Sequence, residues 1–186
     1  MRCLLPIALL LALCGAGCRG PVPGEVYLAA GLPFRLCLPE TGPEFFALQE
    51  ITFGLPGGRR ETVVAALENK GGTLSLVASS PLGQTLFTVQ LRGRVVTVDA
   101  RAPLPSGLDP ALLPALVQFS LWPEAVLRAG LEPGVGLGQD GPRRTLLRQG
   151  RVVWSVTREG TEPPFQGLVL ENPAMGLSVR IRTLEE

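Results

Sequence analysis

The feature that most constrains this chain is a two-residue rhythm of apolar and polar side chains, recurring from about residue 45 to the C-terminus. It is cleanest at the end, where Leu177, Val179 and Ile181 alternate with Ser178, Arg180 and Arg182. Ile51, Phe53 and Leu55 alternate in the same way with Glu50, Thr52 and Gly54. Leu74 and Leu76 alternate with Thr73 and Ser75, and Phe87, Val89 and Leu91 with Thr88, Gln90 and Arg92. Successive side chains of a strand point to opposite faces, so this rhythm predicts strands with one buried and one wet face, as in an antiparallel meander. Gly57-Gly58 and Gly93 are placed as turns between them. With 23 Gly and 18 Pro in 186 residues, the chain carries enough turn material for many short elements rather than a few long helices.

The rhythm changes once. Asp109-Pro110 is a helix start, a capping side chain followed by proline at the first helical position. Leu112, Leu113, Leu116, Val117 and Phe119 then follow at helical spacing. Trp122-Pro123-Glu124 restarts a helix through Val126 and Leu127, and Gly130 closes it. Strands resume at 144–148, 152–156, 168–170 and 177–182. The expected fold is therefore mainly antiparallel β with a short helical pair (α+β): about five strands, two helices, about four strands. Two short helices leave much of a sheet's apolar face to be covered. Such a sheet either curls over a filled core or keeps a cavity, and the sequence leaves both open.

The N-terminus reads as an address. Met1-Arg2 precedes an almost wholly apolar run, Leu4 to Ala16, too short to span a bilayer, which takes about 20 residues. A basic start, a short apolar run and small residues form a secretory signal. Here the small residues Gly15-Ala16-Gly17 directly precede Cys18, which resembles the lipobox of bacterial lipoproteins, whose cysteine is acylated after cleavage. Cys14 has leucine at the right offset but is preceded by bulky Leu13, so Cys18 is the expected lipidation site; an ordinary cleaved signal is the alternative. Residue 19 is Arg rather than Asp, which by resemblance to Gram-negative sorting rules implies the periplasmic face of the outer membrane. Loss of residues 1–17 removes Cys3 and Cys14, and acylation occupies Cys18, so Cys37 is left without a partner for an internal disulfide. The expected organisation is a signal peptide at 1–17, a lipidated, Pro-rich tether at 18–44, and a β domain at 45–186.

Composition excludes several functions. There is no histidine, the commonest general base and metal ligand, and only one lysine, Lys70, so no serine or cysteine has an obvious activator. No cluster of metal-ligand residues stands out, and an enzyme is not expected; no cofactor is implied. With 17 basic and 16 acidic residues the chain has no electrostatic footprint for nucleic acid. Gly136-Leu137-Gly138-Gln139-Asp140-Gly141 matches G-x-G-x-x-G, but Pro142 and a strand follow where a helix would be needed. The stretch is expected to be a loop.

One turn is unusual. Pro81 and Gly83 bend the chain within Ser79–Phe87, and Leu82 sits between them, a large apolar residue at a tip from which it does not easily reach the core. The Ser80–Phe87 turn, the helical stretch Leu113–Pro123 and the closing strand through Ile181-Arg182-Thr183-Leu184-Glu185 occur in this order after the signal cysteine. In this the chain resembles the LolB-like outer-membrane lipoproteins, and in particular a related family of short bacterial lipoproteins of unknown function.

The resemblance implies a curved antiparallel half-barrel with helices as a lid and acyl chains between them. It implies transfer or insertion of lipoproteins or envelope lipids at the outer membrane's inner leaflet, with a LolA-like periplasmic carrier as a partner. It also gives Pro81, Leu82 and Gly83 the role of a membrane-insertion loop. Short relatives beside genes for aryl-polyene lipid synthesis point to an envelope-lipid cargo. The expected cavity lining is Ile51, Phe53, Leu74, Leu76, Phe87, Val89, Trp154, Val156, Leu177, Val179 and Ile181. The expected lid is Leu116, Phe119, Trp122, Val126 and Leu127. The rival expectation is a membrane-tethered interaction module with a packed core.

Overall fold

The computed structural model describes residues 24–101 and 109–184. The signal segment, Cys18 and the start of the tether lie outside them. Ten antiparallel strands form one open sheet in the order β7-β6-β5-β4-β3-β12-β11-β10-β9-β8. The first meander is β3 (Phe45–Gly54), β4 (Arg60–Lys70), β5 (Thr73–Ser79), β6 (Thr85–Arg92) and β7 (Val95–Ala100). The second is β8 (Val135–Asp140), β9 (Arg143–Arg148), β10 (Arg151–Glu159), β11 (Gly167–Asn172) and β12 (Leu177–Leu184). They are joined by the pairing of β3 with β12, where Phe53 faces Val179 and Ile51 faces Ile181. The alternation holds along β3, whose odd-numbered residues from Phe45 to Phe53 are buried. Their side chains form a core of strand and helix residues on the covered face of the sheet.

The helices lie between the meanders. The Asp109 carboxylate accepts a hydrogen bond from the Ala111 N–H at 2.9 Å and caps a single 3-10 turn, Pro110–Leu112. α1 (Leu113–Leu121) follows, and α2 (Glu124–Arg128) restarts after Pro123. α1 is buried around nearly its whole circumference, as expected of a helix apolar on every side.

Two expectations change. The G-x-G-x-x-G stretch is not a loop: β8 runs through it as the sheet's outer strand, with Leu137 opposite Leu146 on the buried face. Gly136 and Gly138 lie against β9, where a Cβ at Gly138 would sit 2.9 Å from Thr145 Oγ1, so close strand packing accounts for that residue type there, and Gly141 follows in the turn with φ +52°. Residues 24–44, expected as a Pro-rich tether whose apolar Tyr27, Leu28, Phe34 and Leu36 offer docking points, are part of the fold. β1 (Glu25–Ala29) and β2 (Leu32–Arg35) form a hairpin that buries Leu28, Leu32, Phe34 and Leu36 in the core. Pro33 stands opposite Tyr27 in the hairpin, and the other side of β2 is bridged only next to it, at Phe34 and Leu131. The Trp154 indole N–H donates to Leu28 O at 2.7 Å, and the amide of Asn69 donates to Pro39 O and Pro43 O, pinning the hairpin and the loop that follows.

Candidate functional site

Between α1 and the seam of the two meanders lies an apolar slot. Its helical wall is Leu113, Leu116, Val117, Ser120 and Leu121, positions i, i+3, i+4, i+7 and i+8 of one helix face. Its sheet wall comes from neighbouring strands: Gln49, Ile51 and Phe53 on β3, Leu67 on β4, Leu76 on β5, Leu168 and Leu170 on β11, Val179 and Ile181 on β12. Only two of these residues are polar, and both have partners of their own. Ser120 Oγ donates to Leu116 O at 2.8 Å, and Gln49 Nε2 lies 3.4 Å from Thr183 Oγ1. The walls therefore offer contact without strong orientation, which suits a hydrocarbon. The cavity volume of the slot is about 50 Å³. Half-buried Leu113, Val117 and Ile181 mark where it reaches the surface.

Of the expected lining, Ile51, Phe53, Leu76, Val179 and Ile181 stand on the slot. Leu74, Phe87, Val89 and Leu177 are buried in the core away from its walls, and so are Trp154 and Val156 on the β10 side. Of the expected lid, Leu116 faces the slot. Phe119, Trp122 and Leu127 are buried elsewhere, and Val126 packs against the core from its edge. The missed residues are instructive. Leu67 ends an apolar run, Val63 to Leu67, in which no alternation can be read. Leu113, Val117 and Leu121 sit on a helix with no polar face, but their i, i+4, i+8 spacing was the available signal.

α1 is fixed at both faces. Gln118, fully buried, accepts from the Cys37 N–H at 2.9 Å and donates to Cys37 O at 2.8 Å. Arg144 reaches from β9 to the end of the helix, donating to Phe119 O at 2.7 Å and Trp122 O at 2.8 Å. Burial, with Arg158 nearby, lowers the Arg144 guanidinium to about 10, still charged at neutral pH. Burial also pushes the Cys37 thiol up to about 11, against the opposing pull of Arg94.

At the β5–β6 turn, the Gly83 N–H donates to Ser80 O and the Ser80 N–H to Gln84 O, both at 2.8 Å. Gly83 has φ +81°, the left-handed conformation that closes the turn. Leu82 projects from it, 89 % exposed. Pro81 and Gly83 are exposed on either side. Among the described residues no helix is long and apolar enough to cross a membrane.

Two solved structures give partial matches to the fold. One is a LolA superfamily protein from Nitrosomonas europaea, 9% identical, TM-score 0.45, covering 80% of this chain and 88% of that one. The other is a putative outer membrane lipoprotein-sorting protein domain from Vibrio parahaemolyticus, 10% identical, TM-score 0.41, covering 75% and 83%. No curated protein matches the chain. A family model described as a protein of unknown function (DUF3261) matches residues 47–185, three-quarters of the sequence, and the chain belongs to that family.

Proposed function

We propose that this protein is a non-enzymatic envelope lipoprotein that takes up a single acyl chain, or another thin apolar ligand, between α1 and the sheet seam. The observation that carries the reading is the slot itself, lined almost wholly by aliphatic side chains and reaching the surface beside Leu113, Val117 and Ile181. In this reading Cys18 is acylated and tethers the protein to the inner leaflet of the Gram-negative outer membrane. The exposed Leu82, between Pro81 and Gly83, enters that leaflet while cargo is received from a periplasmic carrier or passed on. One chain in a narrow apolar channel makes few polar contacts, so release breaks few hydrogen bonds.

Native mass spectrometry of the purified full-length protein tests this, with Val117→Phe as the blocking variant. Retained lipid in the wild type and its loss in Val117→Phe are expected. Repeatedly lipid-free wild-type spectra, under conditions that keep the protein folded, would sink the reading. Leu82→Glu is expected to leave lipid retention intact and to slow delivery to vesicles by about tenfold or more, as a carboxylate on the tip resists insertion. Unchanged delivery would remove Leu82 from the mechanism. A second reading, a tethered interaction module, is favoured by the small volume of the slot and the buried core around it. It predicts the lipid-free result.

A further inference from the structure

One end of the buried face carries two guanidiniums, Arg144 and Arg158, with which no carboxylate of the described residues forms an ion pair. The row of inward side chains that forms the slot wall crosses the sheet as Ile51, Ile181 and Leu168. The next residue in that row is Arg158, directly opposite Leu168 on β10. Cross-strand partners stand about 5 Å apart, so the guanidinium begins one strand beyond the slot wall. It lies over the Phe165 ring at 5.2 Å from the centroid. Its Nε and Nη2 are buried and have no hydrogen-bond partner.

The neighbourhood adds to the imbalance. Arg144, also inward-facing, is close enough to oppose the charge of Arg158. Among the described residues, no carboxylate pairs with either guanidinium. Glu159, next along β10, turns its carboxylate toward Gly167, where it occupies the space a side chain at 167 would need. Glu124, ion-paired with Arg128, offsets part of the charge of Arg144, and Arg158 has no such carboxylate acting on it. Burying a guanidinium without a counter-charge is costly, and a guanidinium fork with two free N–H groups is the geometry that recognises an oxyanion.

We infer that the corner at Arg158 binds the oxyanion of a single-chain amphiphile, a carboxylate or phosphate, while its tail lies in the slot along Leu168 and Ile181. The inference rests on the slot reading and adds the chemical class of its ligand. The hydrocarbon supplies affinity without orientation, and Arg158 supplies polarity, so an acid and an alcohol of equal length become distinguishable.

Titration of the full-length protein with dodecanoate, 1-dodecanol and acetate, followed by isothermal titration calorimetry, tests this. Dodecanoate is expected to bind at least about tenfold more tightly than dodecanol, the discrimination of one charge-assisted hydrogen bond. Arg158→Met should erase that preference while keeping dodecanol binding. It should also leave the ligand-free melting temperature unchanged or raised, since an unpaired buried charge has been replaced by an apolar side chain of similar length. Arg158→Lys should retain part of the preference. Equal binding of acid and alcohol by the wild type overturns the inference and leaves the slot reading standing; no binding of either removes both. Acetate as tight as dodecanoate makes the corner a free-anion site and also overturns it. A lower melting temperature for Arg158→Met with the preference intact assigns Arg158 to Phe165 stacking alone.

Discussion

Gln118 is an amide in the middle of a buried helix, and both ends of it are used. Its exchange of hydrogen bonds with the Cys37 backbone ties α1 to the segment after the N-terminal hairpin. Gln118→Leu leaves a buried N–H and C=O unmatched, and chemical denaturation should report a loss of about 2–4 kcal/mol. Cys37 gives a pH signature. Its thiol ionises near 11 in the fold, above its usual 9.0, so the folded state holds the proton more tightly than the unfolded chain. That contribution is complete below about pH 9 and is lost as pH rises through 11, so stability should fall across this window and Cys37→Ala should flatten the fall. Alkylation of Cys37 at neutral pH should need unfolding. Part of this scale was legible in the sequence. Asp109 announces its cap and Leu82 its exposure, because each depends on near neighbours. Gln118 and Arg158 look like surface residues in the sequence, since only distant strands and loops bury them.

α1 is an element held at its C-terminal end by a side chain from the sheet. Arg144 satisfies two helix-end carbonyls that lack partners within the helix, and its positive charge complements that end of the helix dipole. Arg144→Met should cost about 2–4 kcal/mol, read as a lower urea midpoint. It should also raise amide exchange at the end of α1 before the sheet is affected. The helix and most strands follow from sequence periodicity. The hairpin β1–β2 was hidden by its prolines, although Leu28, Leu32, Phe34 and Leu36 carry an alternation of their own. β8 was hidden by glycines, which carry no alternation, and its place as a strand depends on β9 alongside it.

Across the whole molecule, stability should be graded from the seam outward. β3 and β12 are central and paired on both sides, while β7 and β8 are edges, with Val95 and Val98 of β7 exposed. Hydrogen exchange should be slowest at β3 and β12 and fastest at β7 and β8; uniform protection across the ten strands would contradict this gradient. The strand order was not legible in the sequence, because alternation identifies a strand's faces and says nothing about its neighbours. The slot depends on that order. Its walls bring together residues 49–53 and 177–181, which only the β3–β12 pairing makes adjacent. That pairing has a consequence for biogenesis. The seam joins the first strand of one meander to the closing strand of the other, so a nascent chain holds its first meander with one flank unsealed until β12 has been synthesised.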